Sequence, residues 1–411
     1  MPSVDRLPRP NAKRLAVRVT PDALRHIRSG HPWVYDHSVA STSHTGGMGD
    51  LAVVFDSERK FAAIGLWDPS SPIRLKVLHH GRPVTVDRAF WTARLAAALA
   101  RREPLIARGD TDGYRILNGE NDGMPGMVLD RYDRTLVMKL YTAAWVPHLA
   151  DVLAAIDELL HPEAVVLRLA RNIPADALHG LEEGDALLGV PPTDPVLFRE
   201  CGLTFEADVV HGQKTGHFLD QRDNRTLVGR EADGAKVLDV FASTGGFTVH
   251  AAAGGAASIT AIDLSAPTLE VAARNLAHNA HLPNVAACTY TAVVADAFRE
   301  METYVKQGRK YDIVIIDPPS FAQRQHEVTR ALAAYAKLTD LGVRLVLRGG
   351  LLVQCSCSSR VTTEDFQVTV AHAAARADRP IEIVRTTAHA IDHPVTFPEG
   401  AYLKAVFARL A

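Results

Sequence analysis

Four short apolar runs in the second half of the chain each end in a residue that can do chemistry. Val237–Val240 leads into Ser243-Thr244-Gly245-Gly246, and Ile259–Ile262 ends in Asp263. Tyr311–Ile316 ends in Asp317-Pro318-Pro319, and Leu351–Gln354 in Cys355-Ser356-Cys357. Helix-length segments separate them. Ser265 can cap a helix carrying Leu269, Ala272, Ala273 and Leu276 on one face, and a long helical stretch runs through Leu347 to Gly349-Gly350. Buried strands alternating with helices predict an α/β fold with a parallel, doubly wound sheet. In such a sheet ligands bind beyond the carboxyl ends of the strands, where the strand order reverses. The four run ends are therefore the candidate site.

Each end has a chemical reading beside a plainer one. After Asp239, the Ser243–Gly246 loop lets backbone approach a ligand, because glycine carries no side chain. It is neither the G-x-G-x-x-G of nicotinamide enzymes nor a P-loop. Asp263, eighteen positions after Gly245, stands where a carboxylate accepts hydrogen bonds from a ribose diol, or else where it caps a helix. Asp296, after Val293-Val294, either faces an adenine amino group or is a solvated turn residue. In Asp317-Pro318-Pro319-Ser320-Phe321 two prolines stiffen the backbone, which suits recognition of a planar, polar base and equally a rigid turn. Cys355 and Cys357 offer a nucleophilic thiolate if a positive charge or helix terminus lies nearby. Isolated cysteines at strand ends are mostly buried structural residues, but the adjoining Asp-Pro-Pro loop favours the reactive role. No second Cys/His pair stands at zinc-ligand spacing, so no metal is expected.

The first half reads differently. Residues from Lys13 to about His80 form a β-rich module. Leu15, Val17 and Val19 alternate, Thr20-Pro21 opens a short helix through Arg28 that Gly30 ends, and strands follow at Leu51–Phe55, Phe61–Leu66 and Ile73–Leu78. Seven Arg/Lys against four Asp/Glu in the first fifty residues suit phosphate contact or a solvated basic face. An Ala-rich connector helix from Val86 to about Arg102 comes next, then turns across Tyr114–Gly126. Strands at Met127–Leu129, Leu136–Leu140 and Ala164–Leu169 and a helix around Trp145–Leu160 make a middle α+β domain. Pro191–Leu197 reads as a linker.

With 411 residues, two or three domains of roughly 100–200 residues are expected. A net charge of -2 argues against a surface coated in basic residues, so any nucleic-acid site is a local patch. No stretch approaches the ~20 apolar residues of a membrane span. Met1–Arg14 has no apolar core of a secretory signal, and four unevenly spaced cysteines are no disulfide framework. A reducing cytoplasm is the expected setting.

These residues carry a family resemblance through nearly the whole chain. His211-Gly212-Gln213-Lys214-Thr215-Gly216-His217-Phe218-Leu219-Asp220-Gln221-Arg222-Asp223-Asn224-Arg225 is its most specific block. Phe241-Ala242-Ser243-Thr244-Gly245-Gly246-Phe247, Asp317-Pro318-Pro319-Ser320-Phe321 and Ser356-Cys357-Ser358 add to it. So do His31-Pro32-Trp33-Val34, Ser71-Pro72-Ile73-Arg74, Tyr114-Arg115, Gly119-Glu120-Asn121-Asp122-Gly123 and Pro125-Gly126. His393-Pro394, Pro398-Glu399-Gly400 and Tyr402-Leu403-Lys404 extend it to the C-terminal end. The chain resembles class I S-adenosylmethionine-dependent methyltransferases, and closely the large-subunit ribosomal RNA cytosine-5 methyltransferases of the bacterial methyltransferase I type.

The resemblance implies a Rossmann-like methyltransferase domain over 196–411, an N-terminal β-rich PUA-like RNA-binding domain over 1–82, and a helical connector with a small central α+β domain over 83–195. It implies S-adenosyl-L-methionine as cofactor, held by Phe218, Gln221, Arg222, Asp239, Phe241, Ser243, Thr244, Gly245, Gly246, Asp263, Asp296 and Asp317. Cys357, rather than Cys355, aligns with the nucleophile, Asp317 acts with it, and Pro318, Pro319 and Phe321 face the substrate. The family usually has no cysteine at position 355, and Ser359 stands where some relatives have Gly. The implied partner is 23S ribosomal RNA presenting an unpaired or flipped cytosine; no membrane is involved, and a homodimer is implied. The rival readings are exocyclic amino methylation of adenine or cytosine, which needs no cysteine and prefers an aromatic where Ser320 stands, and a noncatalytic RNA-binding ribosome-assembly factor.

Overall fold

The computed structural model describes residues 6–212, 214–322 and 324–411. Gln213 of the His211–Arg225 block and the first five residues of Met1–Arg14 lie outside that description. The chain divides into two compact units. The first comprises residues up to Arg199 with Ala207–His217 and Ile391–Phe397; the second comprises Glu200–Glu206, Phe218–Ala390 and Pro398–Ala411.

In the first unit, β1 (Leu15–Val19), α1 (Pro21–Arg28), β2 (Trp33–Tyr35), β3 (Val39–Thr42), β4 (Leu51–Phe55), β5 (Phe61–Trp67) and β6 (Ile73–His80) build a six-stranded sheet of order β2-β6-β5-β4-β1-β3. Thr20 caps α1 as its sequence position requires, its hydroxyl accepting the Ala23 N–H at 3.3 Å. The two strands missed by periodicity, β2 and β3, are three and four residues long, too short to show alternation.

The connector helix α2 (Arg88–Ile106) starts at Asp87, whose side chain takes the Phe90 N–H, and runs four residues past the expected end. β7 (Gly113–Asn118), β8 (Met127–Tyr132), β9 (Thr135–Leu140), α3 (Leu149–Leu160), β10 (Ala164–Leu169) and β11 (Ala186–Gly189) follow, with the five strands in order β11-β10-β9-β8-β7. Here β7 corrects the sequence reading. Tyr114–Asn118 is strand, and only from Gly119 does the chain turn. The Gly, Asn and Asp residues after it masked the buried Tyr114, Ile116 and Leu117. The helix expected from Trp145 is also split, because Pro147 holds residues 143–148 in a 3-10 turn before α3 begins. Both sheets share one apolar core running from Leu51 and Leu66 through Trp91 and Trp145 to Leu167. Burying each such side chain is worth about 1.5–3 kcal/mol.

A ribbon of β12 (Val196–Glu200) and β13 (Leu203–Ala207) replaces the end of the expected linker. The second unit continues with α4 (Arg222–Arg230), β14 (Lys236–Val240), α5 (Gly246–Ala253), β15 (Ser258–Asp263), α6 (Ala266–His278), α7 (Pro283–Ala287), β16 (Thr289–Val294), α8 (Ala297–Lys306), β17 (Tyr311–Ile316), α9 (Val328–Leu345), β18 (Val346–Ser356), α10 (Thr363–Arg376), β19 (Ile381–Thr387) and β20 (Lys404–Leu410). Its seven-stranded sheet has the order β16-β15-β14-β17-β18-β20-β19. The strands from β14 to β18 pair in parallel, and β20 is antiparallel to both neighbours. The doubly wound sheet is as expected, with its order reversing between β14 and β17.

Two local expectations fail here. Ala273 is exposed, and α6 buries Asn275 instead, alongside Leu269 and Ala272. Gly349-Gly350 does not stop a helix. It forms an irregularity inside β18, where the register moves from Tyr311↔Val346 to Ile313↔Leu351 and Gly349 has a φ of 73°. A side chain on Gly350 would meet the Asp312 carbonyl oxygen at 2.7 Å. Among the described residues no helix is long and apolar enough to cross a membrane.

Candidate active site

The parallel register sets the level of the candidate residues. Val240 pairs with both Ile262 and Ile316, and Ile316 pairs with Gln354. The next residue on each strand is Phe241, Asp263, Asp317 and Cys355, so four candidates stand in one row at the carboxyl edge. Cys357 lies two residues further out, just past the end of β18. That corrects the expectation of two thiols at one strand end: Cys355 is inside the strand.

Asp239 closes the floor of the first half-site. Its Oδ2 accepts the Thr248 hydroxyl at 2.7 Å, while Oδ1 is buried and accepts no hydrogen bond among the described residues. Burial pushes this carboxyl up to about 6 against the opposing pull of Thr248 and Arg225. An acceptor left unsatisfied in an apolar setting is costly, and a cationic or N–H donor of a ligand would relieve it.

The loop that follows is strained. Phe241 and Ser243 have φ of 64° and 49°, and Gly245 has 76°. Left-handed non-glycine residues persist where the surroundings enforce them, often at binding sites. Asp263 supplies part of that enforcement, accepting the Ser243 N–H at Oδ2 and the Ser265 N–H at Oδ1, both at 2.9 Å. Ser265, not Asp263, caps α6. Each carboxylate oxygen of Asp263 has a second lone pair, so it can still accept from a diol.

The loop glycines also have a packing reason. A Cβ on Gly245 would fall 2.7 Å from the Ala272 Cβ, and one on Gly246 would fall 2.5 Å from Arg225 Nε. Their missing side chains let α6 and Arg225 pack beneath the loop. Asn275, which the sequence reading overlooked, donates to the Thr244 carbonyl at 2.9 Å and fixes the loop from α6. An Asn beside Leu276, on the helix read as apolar at Leu269, Ala272, Ala273 and Leu276, was the available signal.

Residues from Phe218 into α4 pack around the same floor. Arg225 forks onto both Glu200 oxygens at 2.9 and 3.0 Å and donates to the Phe218 carbonyl at 2.5 Å. His250 meets the same carboxylate at 3.0 Å. Gln221 accepts from Asn224 at 2.6 Å and hydrogen-bonds to the Cys355 sulfur. Arg222 is fully buried, its Nε 3.4 Å from an Asp223 oxygen. Asp296, beyond the edge strand β16, caps α8 by accepting the Arg299 N–H at 3.0 Å.

The second half-site joins the two remaining strand ends. Cys357, half-buried, donates its thiol to the Pro318 carbonyl at 3.8 Å. Ser358 ties the same two loops together, its hydroxyl accepting the Phe321 and Ala322 N–H groups at 3.1 and 3.3 Å. Tyr335 from α9 reaches both Ser358 Oγ at 2.8 Å and Ser356 Oγ at 2.9 Å. Burial pushes the Tyr335 hydroxyl up to about 12, so it stays neutral and can accept from Ser356. Pro318 is buried, Pro319 is exposed, and the Phe321 ring packs 5.1 Å from that of Tyr335, anchoring the loop. Cys355 is fully buried, and burial together with the Asp317 carboxylate drives its thiol well up from the ordinary range. It therefore remains a thiol. Asp317, Cys357, Asp239 and Gln221 all act on it, which places catalytic and cofactor candidates around one buried sulfur.

Residues 180–409 match the model of an S-adenosylmethionine-dependent methyltransferase family, and residues 17–80 that of a PUA-like domain. A ribosomal RNA large subunit methyltransferase from Deinococcus radiodurans is 49% identical over 98% of this chain and 99% of its own. A ribosomal RNA large subunit methyltransferase I from Pseudoalteromonas translucida is 32% identical over 94% and 97%, and one from Shewanella amazonensis 34% over 96% and 99%. Two solved structures, one described as a methyltransferase complexed with SAH and one as a SAM-dependent methyltransferase from Streptococcus mutans, give TM-scores of 0.81 and 0.79. Each is 20% identical over 96% of this chain and 99% of its own, a likeness of fold. With a Rossmann-like sheet, a PUA-like domain and full-length relatives above 30% identity, the chain belongs to the S-adenosylmethionine-dependent large-subunit ribosomal RNA methyltransferases.

Proposed function

We propose that this methyltransferase modifies C5 of an unpaired cytosine in 23S ribosomal RNA through a covalent adduct with Cys357. One observation carries the reading: the Cys357 thiol contacts the Asp317-Pro318-Pro319 loop at 3.8 Å, so the candidate nucleophile and the candidate base-recognition loop lie side by side. C5 of cytosine is too weak a nucleophile to take a methyl group unaided. When bound, S-adenosylmethionine supplies an electrophilic methyl group beside that position. The Cys357 thiolate adds to C6, forming an S–C6 bond and moving the C5–C6 π electrons to C5. Asp317 holds the base at N3 and its amino group, stabilising a proton there as charge builds on the ring. The enamine-like C5 takes up the methyl group, loses its proton to a base or water, and C5–C6 reforms as the sulfur leaves.

On this reading Asp263 holds the ribose diol, Asp239 offers its unsatisfied oxygen to the methionine end, and Phe218, Gln221, Arg222, Phe241, Ser243, Thr244, Gly245, Gly246 and Asp296 shape the cofactor pocket. Pro318 and Pro319 present a rigid wall to the base while Phe321 anchors it. The PUA-like module contacts RNA in a cytoplasmic setting. Mass mapping of nucleosides in ribosomal RNA from cells with and without the gene tests the reaction. Loss of one 5-methylcytidine supports it. Loss of an N4-methylcytidine or an N6-methyladenosine instead would hand the case to amino methylation.

The cofactor assignment has its own test. Asp263→Ala is expected to weaken S-adenosylmethionine binding by about 1.5–3 kcal/mol, the worth of hydrogen bonds to a charged acceptor. Calorimetry giving wild-type affinity would take Asp263 out of the pocket.

A further inference from the structure

Lys404 opens β20 and pairs in register with Ser356, the residue before Cys357. It is 2% exposed, and its Nζ donates to the Ser358 carbonyl at 2.6 Å and the Val361 carbonyl at 2.5 Å. Both carbonyls belong to the segment that leaves Cys357. Carbonyl dipoles satisfy an ammonium's donors without cancelling its charge, and a buried charge that lacks a counter-charge is costly to keep. The cost shows in the group itself. Burial pushes Lys404 down to about 8, and Cys357 is the group that draws it back up.

We propose that Lys404 is a positioning residue for Cys357: its ammonium pins the 358–361 segment by two carbonyls and supplies the positive charge that favours the Cys357 thiolate. The proposal rests on reading Cys357 as the nucleophile. Among the described residues, Tyr335 from α9 and Cys355 from β18 also face Cys357. Asp317, at the end of β17, acts on both of these. Burial keeps Tyr335 and Cys355 neutral at physiological pH, and Asp317 pushes its neighbours up rather than down, so none of the three favours a thiolate. Among these described groups Lys404 is the cation.

The test uses the full-length protein without RNA. Iodoacetamide alkylation of the Cys357 peptide is followed by mass spectrometry as a function of pH, for wild type and Lys404→Gln. Gln keeps N–H donors for the carbonyls but removes the charge. The wild-type midpoint is expected below the value of about 8.5 for a free thiol. In Lys404→Gln it is expected to rise by about one unit, slowing alkylation near neutral pH about tenfold. A purely structural lysine would leave that midpoint unmoved. Equal midpoints in the two proteins, or a wild-type midpoint at or above that of a free thiol, overturn the proposal. If Lys404→Gln does not fold, the wild-type midpoint alone decides. Because no RNA is present, nucleoside mapping that excluded C5 methylation would undo the role of Cys357 without changing the thiol titration, so the two failures are distinct.

Discussion

Cys357→Ala is expected to reduce methyl transfer below detection while leaving S-adenosylmethionine affinity and folding close to wild type. Without sulfur addition to C6, the ring has no route to an electron-rich C5, and cofactor binding offers no substitute. The protein should tolerate the change, because Cys357 is half-buried past the end of β18 and lies outside the apolar cores. Cys355→Ala is the matching control. Cys355 is 0% exposed and packs with Val353, Ala405 and Phe407, so its loss costs packing, about 1 kcal/mol, and leaves most of the activity. Turnover is read with tritiated cofactor and cofactor affinity by calorimetry. If Cys357→Ala still methylates, or if activity follows Cys355, the nucleophile has been misassigned.

Asp317→Asn is the second large effect. The substitution keeps the size and polarity of the side chain but removes the carboxyl's ability to hold a proton at N3 while negative charge develops. Positioned acid–base groups contribute about 100- to 10,000-fold, and a fall in single-turnover rate within that range is expected. The loss should appear in the rate at saturating RNA rather than in RNA affinity, because the loop is held by contacts that do not involve the carboxyl. Pro318 is buried and Ser358 binds the Phe321 and Ala322 amides, neither of which depends on Asp317. A rate within threefold of wild type would leave Asp317 no part in the chemistry.

The strand ends were legible because apolar runs and their terminal residues are local facts of the sequence. Tyr311–Ile316 is both the expected and the observed strand, and the four ends converge because parallel strands put them at one edge. What local pattern could not give was the choice between alternatives decided by neighbours. A strand has a period of two, so Cys355 and Cys357 share a face, and only the end of β18 at Ser356 separates a buried thiol from an accessible one. Asp263 could have been a helix cap until Ser265 was seen to take that place. The packing of Ala272 and Arg225 against Gly245 and Gly246 was not legible either, because those two residues come from two other helices. Lys404, at the head of β20, and Ser358, just past the end of β18, are 46 residues apart in sequence. A lysine at the head of an apolar strand was the one local hint.

Trapping the adduct shows whether the sulfur adds to C6. RNA carrying 5-fluorocytosine at the target should form an irreversible adduct with the wild-type protein in the presence of S-adenosylmethionine, because fluorine cannot leave C5 as a proton does. Proteolysis and mass spectrometry should place the adduct on Cys357 and find none in Cys357→Ala. An adduct on Cys355, or no adduct from a wild-type protein that is methylating unsubstituted RNA, would contradict the account.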